Sequence, residues 1–180
     1  LAILPELETR RLTLRRFVFD DAPFALRLLN EPSFLENIGD KGVRSLEDAQ
    51  RYLREGPMAM YASFGFGLWH VARKSDGVAV GMCGLLRRDI LPDVDIGYAY
   101  LPEVWGQGYA FEAAAATVRH AADKFGLRRL IGVVSAGNPG SIRVLEKLGM
   151  RFERMHLMYP DQPEVLLYAR ELGGHVLSGA

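Results

Sequence analysis

The sequence holds one cysteine, Cys83, among 180 residues. An internal disulfide is excluded, and a lone thiol in an apolar strand is expected to be a small core residue in a reducing, cytoplasmic setting. Charge of one sign is also missing, since 22 Lys and Arg balance 22 Asp and Glu. A nucleic-acid protein relies on many phosphate contacts, so no nucleic-acid partner is expected. No apolar run is long enough to span a bilayer; the longest, 78–86, is interrupted by glycines, and no membrane partner is expected. A basic stretch leading into an apolar run is absent from the N-terminus, which argues against a signal peptide. The four histidines show no metal-ligand spacing and no Cys/His cluster exists, so no metal is expected. With no repeat, low-complexity tract or linker, residues 1–180 are expected to form one domain, 173–180 being a tail, as a monomer or homodimer.

What is present centres on Trp105-Gly106-Gln107-Gly108-Tyr109-Ala110, followed at once by the alanine-rich run Phe111-Glu112-Ala113-Ala114-Ala115-Ala116. A glycine turn opening into a helix presents unpartnered N–H groups and the positive end of the helix dipole. A phosphate or pyrophosphate is the expected guest. The turn is not a Walker loop, because no Lys-Ser/Thr follows, and it is not a dinucleotide fingerprint, because Phe111 stands at the third glycine position. A plain tight turn before a helix is the competing reading.

The flanks narrow the choice. Val94 to Leu101 alternates as a strand, with Asp95, Gly97 and Ala99 on a small, open face opposite Val94, Ile96, Tyr98 and Tyr100. Arg128 to Val134 reads as a second strand. Asn138 then suits an N-cap, Pro139 the first helical position, and Gly149 the C-terminal stop, around a stripe of Ile142, Leu145 and Leu148. Strand, anion turn, helix, strand and capped helix make a β-α-β unit with parallel strands. Elsewhere, 11–17, 67–73, 78–87, 151–158 and 164–171 read as strands. Helices are expected from Asp20 to a stop at Pro32, and from Ser45 to Gly56-Pro57.

These residues resemble the GNAT superfamily of N-acetyltransferases, and within it the Rim-type branch that includes ribosomal-protein N-terminal acetyltransferases. Glu8-Thr9-Arg10-Arg11-Leu12-Thr13-Leu14-Arg15 is similar to that branch's opening strand, Trp105 to Ala110 to its acyl-CoA pyrophosphate loop, and Asn138 to Ser141 with Leu145 to Met150 to its last helix. The resemblance implies a mixed α+β fold: a mostly antiparallel central sheet with one splayed parallel strand pair and about four flanking helices. It implies acetyl-CoA as co-substrate, gripped by Tyr98, Ala99, Trp105, Gly106, Gln107, Gly108, Tyr109, Ala110, Asn138 and Ser141. It implies as acceptor a primary amine, either a small molecule or a peptide N-terminus. The tyrosine that many members place before Glu146-Lys147 is here Leu145, so that proton donor cannot be carried over. A non-catalytic acyl-CoA-binding or interaction module on the same scaffold stays open as the alternative.

Acetyl transfer needs a neutral amine, donors for the developing oxyanion, and a proton for the leaving thiolate. Ser141, one turn into the helix after Asn138, is the candidate acid; its other reading is a helix residue bonded to nearby backbone. Asp95 is the candidate base, or else a solvated carboxylate. Asp40 and His70 are candidate acceptor-binding residues, with His156 on the same side; for both histidines the alternative is ordinary packing. His120 is expected to face solvent. Arg143 and Lys147 form either a phosphate contact or a solvated face. Phe64, Phe66 and Trp69 line an acceptor pocket or belong to the core.

Overall fold

The computed structural model describes residues 3–173, so the proposed tail beyond Gly173 lies outside the described residues. Eight strands form one sheet: β1 (Leu7–Glu8), β2 (Leu12–Arg15), β3 (Leu68–Arg73), β4 (Ala79–Leu86), β5 (Asp95–Tyr100), β6 (Arg129–Val134), β7 (Arg151–His156) and β8 (Val165–Glu171). Their order is β1-β2-β3-β4-β5-β6-β8-β7, antiparallel throughout except for β5 beside β6. The mixed architecture with one parallel pair is therefore the one expected.

Helices cover both faces. On one, α5 (Tyr109–Asp123) and α6 (Pro139–Lys147) bury Ala113, Ala114, Val118, Ala121, Leu145 and Leu148 against Trp69, Cys83, Leu85 and Ile96. The alanines of α5 bring its axis close to the sheet, and Cys83 sits fully buried among them. On the other face, α1 (Ala22–Leu29) and α3 (Leu46–Leu53) pack Ala25, Leu28, Leu29, Ala49 and Leu53 over Leu68 and Met82. Each fully buried leucine removed from water here contributes about 1.5–3 kcal/mol.

Local chemistry explains most boundaries. Ser45 caps α3, its hydroxyl accepting from the Asp48 N–H at 3.1 Å. Two boundaries differ from expectation. Pro32 does not only stop α1; it occupies the first turn of a further short helix, α2 (Pro32–Asn37), where its missing N–H costs nothing. Likewise Pro57 does not end α3. The chain continues through a π turn at Arg54–Met58 into α4 (Ala59–Phe64), the wider turn accommodating a residue without an N–H.

Candidate active site

The parallel pair is where the sheet opens. β5 and β6 share a single register pair, Asp95 with Ile131, joined by the Ile131 N–H to the Val94 carbonyl at 3.1 Å. Each strand is fully paired on its other side, β5 to β4 and β6 to β8. The later residues of β5, through Ala99 and Tyr100, thus present an unpaired backbone edge inside the molecule. An extended, amide-bearing chain can pair there as an added strand. The gap is this edge and not the small face of β5. A Cβ placed on Gly97 would lie 2.8 Å from Leu86 and 3.4 Å from Leu68, so that face is filled.

At the mouth of the gap stands the glycine turn. Gly106 and Gly108 adopt φ of +75° and +80°, a left-handed backbone that L side chains rarely take. The first backbone bond at the start of α5 runs from the Glu112 N–H to the Gly108 carbonyl at 3.1 Å. The N–H groups of Tyr109, Ala110 and Phe111 thus have no partner within the helix, as at any helix start. Around Gly106 nothing lies within 4 Å of a Cβ position, leaving room for a pyrophosphate against the backbone. Gln107 is exposed and Ala110 half-buried. Trp105, 56% exposed, ties the turn to the sheet by donating from Nε1 to the Tyr100 carbonyl at 3.0 Å.

Arg11, which sequence reasoning assigned only to an opening strand, braces this turn from β2's leading end. Its Nη1 donates to the Gln107 carbonyl at 2.8 Å, and its guanidinium lies 4.6 Å from the centre of the Tyr109 ring. Its Nε also meets Glu112 at 2.6 Å, while Thr9 donates to the same carboxylate at 2.6 Å. Glu112 is in the first turn of α5, where an unpaired negative charge would repel phosphate; Arg11 cancels it. Two segments about a hundred residues apart meet here, and nothing in local spacing announces that.

Across the gap, Asn138 caps α6 by accepting the Ser141 N–H at Oδ1, 3.2 Å away. Ser141 is half-buried, and its Oγ lies 2.9 Å from the Tyr98 hydroxyl on β5. Burial pushes the Tyr98 phenol up to about 12, so it stays protonated near neutral pH. Leu145 is 1% exposed, wedged against Gly132 of β6, and contributes packing only. Arg143 and Lys147 are exposed on α6.

The acceptor-side candidates fall differently from expectation. Asp95 is not solvated: it has no exposed surface, and Arg88 holds both its oxygens, from Nε at 3.2 Å and from Nη2 at 2.5 Å. Burial raises its pKa while the Arg88 charge opposes the rise. Buried without exposed surface and paired with a guanidinium, Asp95 is out of reach of an incoming amine and does not fit the role of base. Arg88 carried no sequence signal of its own. Asp40 stays in its own loop, with Oδ1 accepting from the Gly42 N–H at 2.8 Å and Oδ2 from Arg44 at 2.5 Å. Two local partners occupy the charge that an acceptor ammonium would need.

His70 is buried, ringed by Phe17 and Phe24, with Nε2 3.8 Å from Asp21. Burial lowers its pKa to about 4, with Arg15 adding repulsion against the partial support of Asp21. It is a core histidine. His156 accepts from Arg154 at Nδ1 (2.9 Å) and meets the Ile90 carbonyl through Nε2 at 3.0 Å, pinning β7 to the loop after β4. His120, expected in solvent, is half-buried between the Trp69 and Phe125 rings. Phe66 and Trp69 belong to the core, whereas Phe64 is 47% exposed. Among the described residues, no group of His, Cys, Asp or Glu side chains is arranged to hold a metal ion, and no helix is long and apolar enough to cross a membrane.

Comparison with known proteins agrees with this geometry. YoaA of Bacillus subtilis, an uncharacterized N-acetyltransferase, is 28% identical over 166 residues, 89% of this chain and 90% of YoaA. YkkB of the same organism is 33% identical over 93 residues, so the match spans about half of each protein: 51% of this chain and 54% of YkkB. A crystal structure of an acetyltransferase from Agrobacterium tumefaciens superposes with a TM-score of 0.79 at 27% identity, covering 96% of this chain and 97% of that one. The ribosomal L7/L12 α-N-protein acetyltransferase RimL, in complex with coenzyme A, shares the fold at 19% identity, with a TM-score of 0.78 over 95% and 98% of the two chains. Residues 11–151, which run from the arginine bracing the glycine turn past the helix that carries Ser141, match the acetyltransferase (GNAT) domain, and the chain belongs to that family.

Proposed function

We propose that this acetyltransferase transfers the acetyl group of acetyl-CoA to a primary amine, a small molecule or a protein N-terminus, by direct attack of the amine on the thioester. The observation that carries the reading is the single β5–β6 register pair, which leaves an open edge leading to the glycine turn at the start of α5. The likeness to RimL, whose name states an α-amino protein acceptor, supports the peptide N-terminus and with it the Rim-type branch.

The N–H groups of Tyr109, Ala110 and Phe111, with those of the turn, bind the pyrophosphate, and Arg11 keeps Glu112 from opposing it. The edge of β5 through Ala99 pairs with the pantetheine amides. Acetyl-CoA supplies an activated acyl group and a thiolate leaving group. Ser141 donates its hydroxyl proton to the departing sulfur, with Asn138 fixing the turn from which it points. The amine's proton leaves through water, since the acceptor-side carboxylates Asp95 and Asp40 are both occupied by arginines. Asp95 contributes by holding Arg88.

Thiol release from acetyl-CoA against a panel of N-terminal peptides and polyamines tests the reading. Turnover is expected with at least one class. Ser141→Ala should lower kcat by about 10²-fold or more while leaving the KM for acetyl-CoA little changed. Tight CoA binding with no thiol release against any amine would overturn the catalytic assignment.

A further inference from the structure

Ser141 is not alone in the gap. The Tyr98 hydroxyl reaches it from the opposite strand, 2.9 Å from Oγ and 3.2 Å from the Ser141 carbonyl. One residue on β5 and one on α6 are thus bonded across the place where the sheet opens. We propose that Tyr98 is the positioning residue for Ser141: its phenol donates to Ser141 Oγ, leaving the serine's own O–H directed at the thioester sulfur. The inference rests on the assignment of Ser141 as acid and names the residue that makes it one.

Two arrangements of the hydrogens are available at 2.9 Å, and the Ser141 carbonyl at 3.2 Å, which can only accept, competes for the phenol's one proton; the shorter contact to Oγ is the one assigned it. If Ser141 donated to the phenol oxygen, its proton would be engaged and of no use to a leaving thiolate. A phenol is far more acidic than an aliphatic alcohol and is the better donor of the two, which favours the opposite arrangement. Its raised pKa keeps the phenol protonated near neutral pH, so the donor is present where the enzyme works. The Ser141 backbone is held as well, its N–H spent on the Asn138 cap, so the residue from which the hydroxyl projects is fixed. No alternative phenol is at hand on α6, because Leu145 is committed to the contact with Gly132.

The step balances as follows. The amine nitrogen bonds to the carbonyl carbon and the C–S bond breaks, its electron pair going to sulfur. Ser141's proton passes to sulfur and Tyr98's proton to Ser141 Oγ. Half-buried Tyr98 regains a proton from water, which has received one from the amine.

The test is a cycle of Tyr98→Phe, Ser141→Ala and the double variant, with acetyl-CoA and the best acceptor from the panel. Folding is followed by circular dichroism and acetyl-CoA affinity by calorimetry. Tyr98→Phe should lower kcat roughly 10- to 100-fold with KM for acetyl-CoA unchanged within about twofold. The double variant should be no slower than Ser141→Ala, because both changes remove one device. Full kcat in Tyr98→Phe, or losses that multiply in the double variant, would overturn the positioning role. Full kcat in Ser141→Ala would instead overturn the acid itself. A measurement independent of turnover is ¹³Cζ-tyrosine NMR, with the Tyr98 signal identified by its loss in Tyr98→Phe. That signal should move in Ser141→Ala, and an unmoved signal would remove the hydrogen bond on which the proposal stands.

Discussion

Arg88 closes over Asp95: its guanidinium meets both carboxylate oxygens, and the carboxylate keeps no exposed surface. The pair joins the loop after β4 to the first residue of β5, at the closed end of the gap. Removing the arginine would leave a buried charge unpaired, a far larger penalty than loss of a surface ion pair.

Arg88→Ala is therefore expected to lower unfolding stability by about 3 kcal/mol. Adding Asp95→Asn should restore part of the loss, because the stranded charge disappears. Urea denaturation of the two single variants and the double variant checks this. Asp95→Asn alone should leave the rise of kcat/KM with pH in place, since the amine's proton goes to water. A flattened profile would return Asp95 to the role of base.

Arg11 and Glu112 offer a test of the proposed pyrophosphate site. Arg11→Ala removes the positive charge beside Glu112 at the first turn of α5, leaving the Thr9 hydroxyl and the backbone N–H of residue 11 on the carboxylate, and releases the Gln107 carbonyl. Acetyl-CoA should bind about 5- to 10-fold more weakly, the scale of one charge at a helix end. Glu112→Gln in the Arg11→Ala background should recover much of that affinity, as read by calorimetry at low salt. No recovery would mean that Arg11 acts through turn geometry and not through charge.

Gly108 carries φ of +80°, and a Cβ there would approach the Arg11 guanidinium at 3.4 Å. Gly108→Val should cost about 1–2 kcal/mol from the left-handed backbone alone, which the core tolerates. The β-branched side chain also crowds the turn proposed to meet the pyrophosphate and presses on the Arg11 guanidinium that braces it. Acetyl-CoA binding should be lost while circular dichroism is retained, and undiminished affinity in the folded variant would move the site elsewhere.

His70 sets a pH dependence of stability. Burial lowers its pKa from 6.5 to about 4. Between those values the unfolded chain binds a proton that the folded chain refuses, so stability falls as pH drops through 6.5 and levels off below about 4. The loss attributable to His70 is about 3 kcal/mol across the window. Subtracting a His70→Gln stability profile from that of the wild type isolates it. A difference that stays flat from pH 7 to 4 would show that the imidazole is protonated in the fold without cost.

Much of this architecture follows from local rules. The Ser75-Asp76-Gly77 turn between the apolar runs 68–73 and 79–86, the Ser45 and Asn138 caps, and the glycines of 106 and 108 act through neighbours within four residues, so they are readable in order along the chain. The ends of the helices at Pro32 and Pro57 are not set locally, because a proline excludes an N–H but does not dictate whether the chain stops, restarts or widens into a π turn. That choice depends on what the next turn packs against.

Sequence alone determined the motif order, the β-α-β unit and the glycine turn that opens α5, because each rests on backbone conformation set by nearby residue types. Tertiary structure decided which side chains meet and which are buried. Asp95 reads in sequence as a base or a solvated carboxylate, and Arg88 makes it neither; His70 reads as an acceptor contact or a packed residue, and Phe24 of α1 covers it. Arg11 reached Glu112, and Tyr98 reached Ser141, only once distant strands and helices were brought together. Charge, burial and hydrogen bonding depend on distances in space, and those become defined only when the sheet has closed around its one parallel pair.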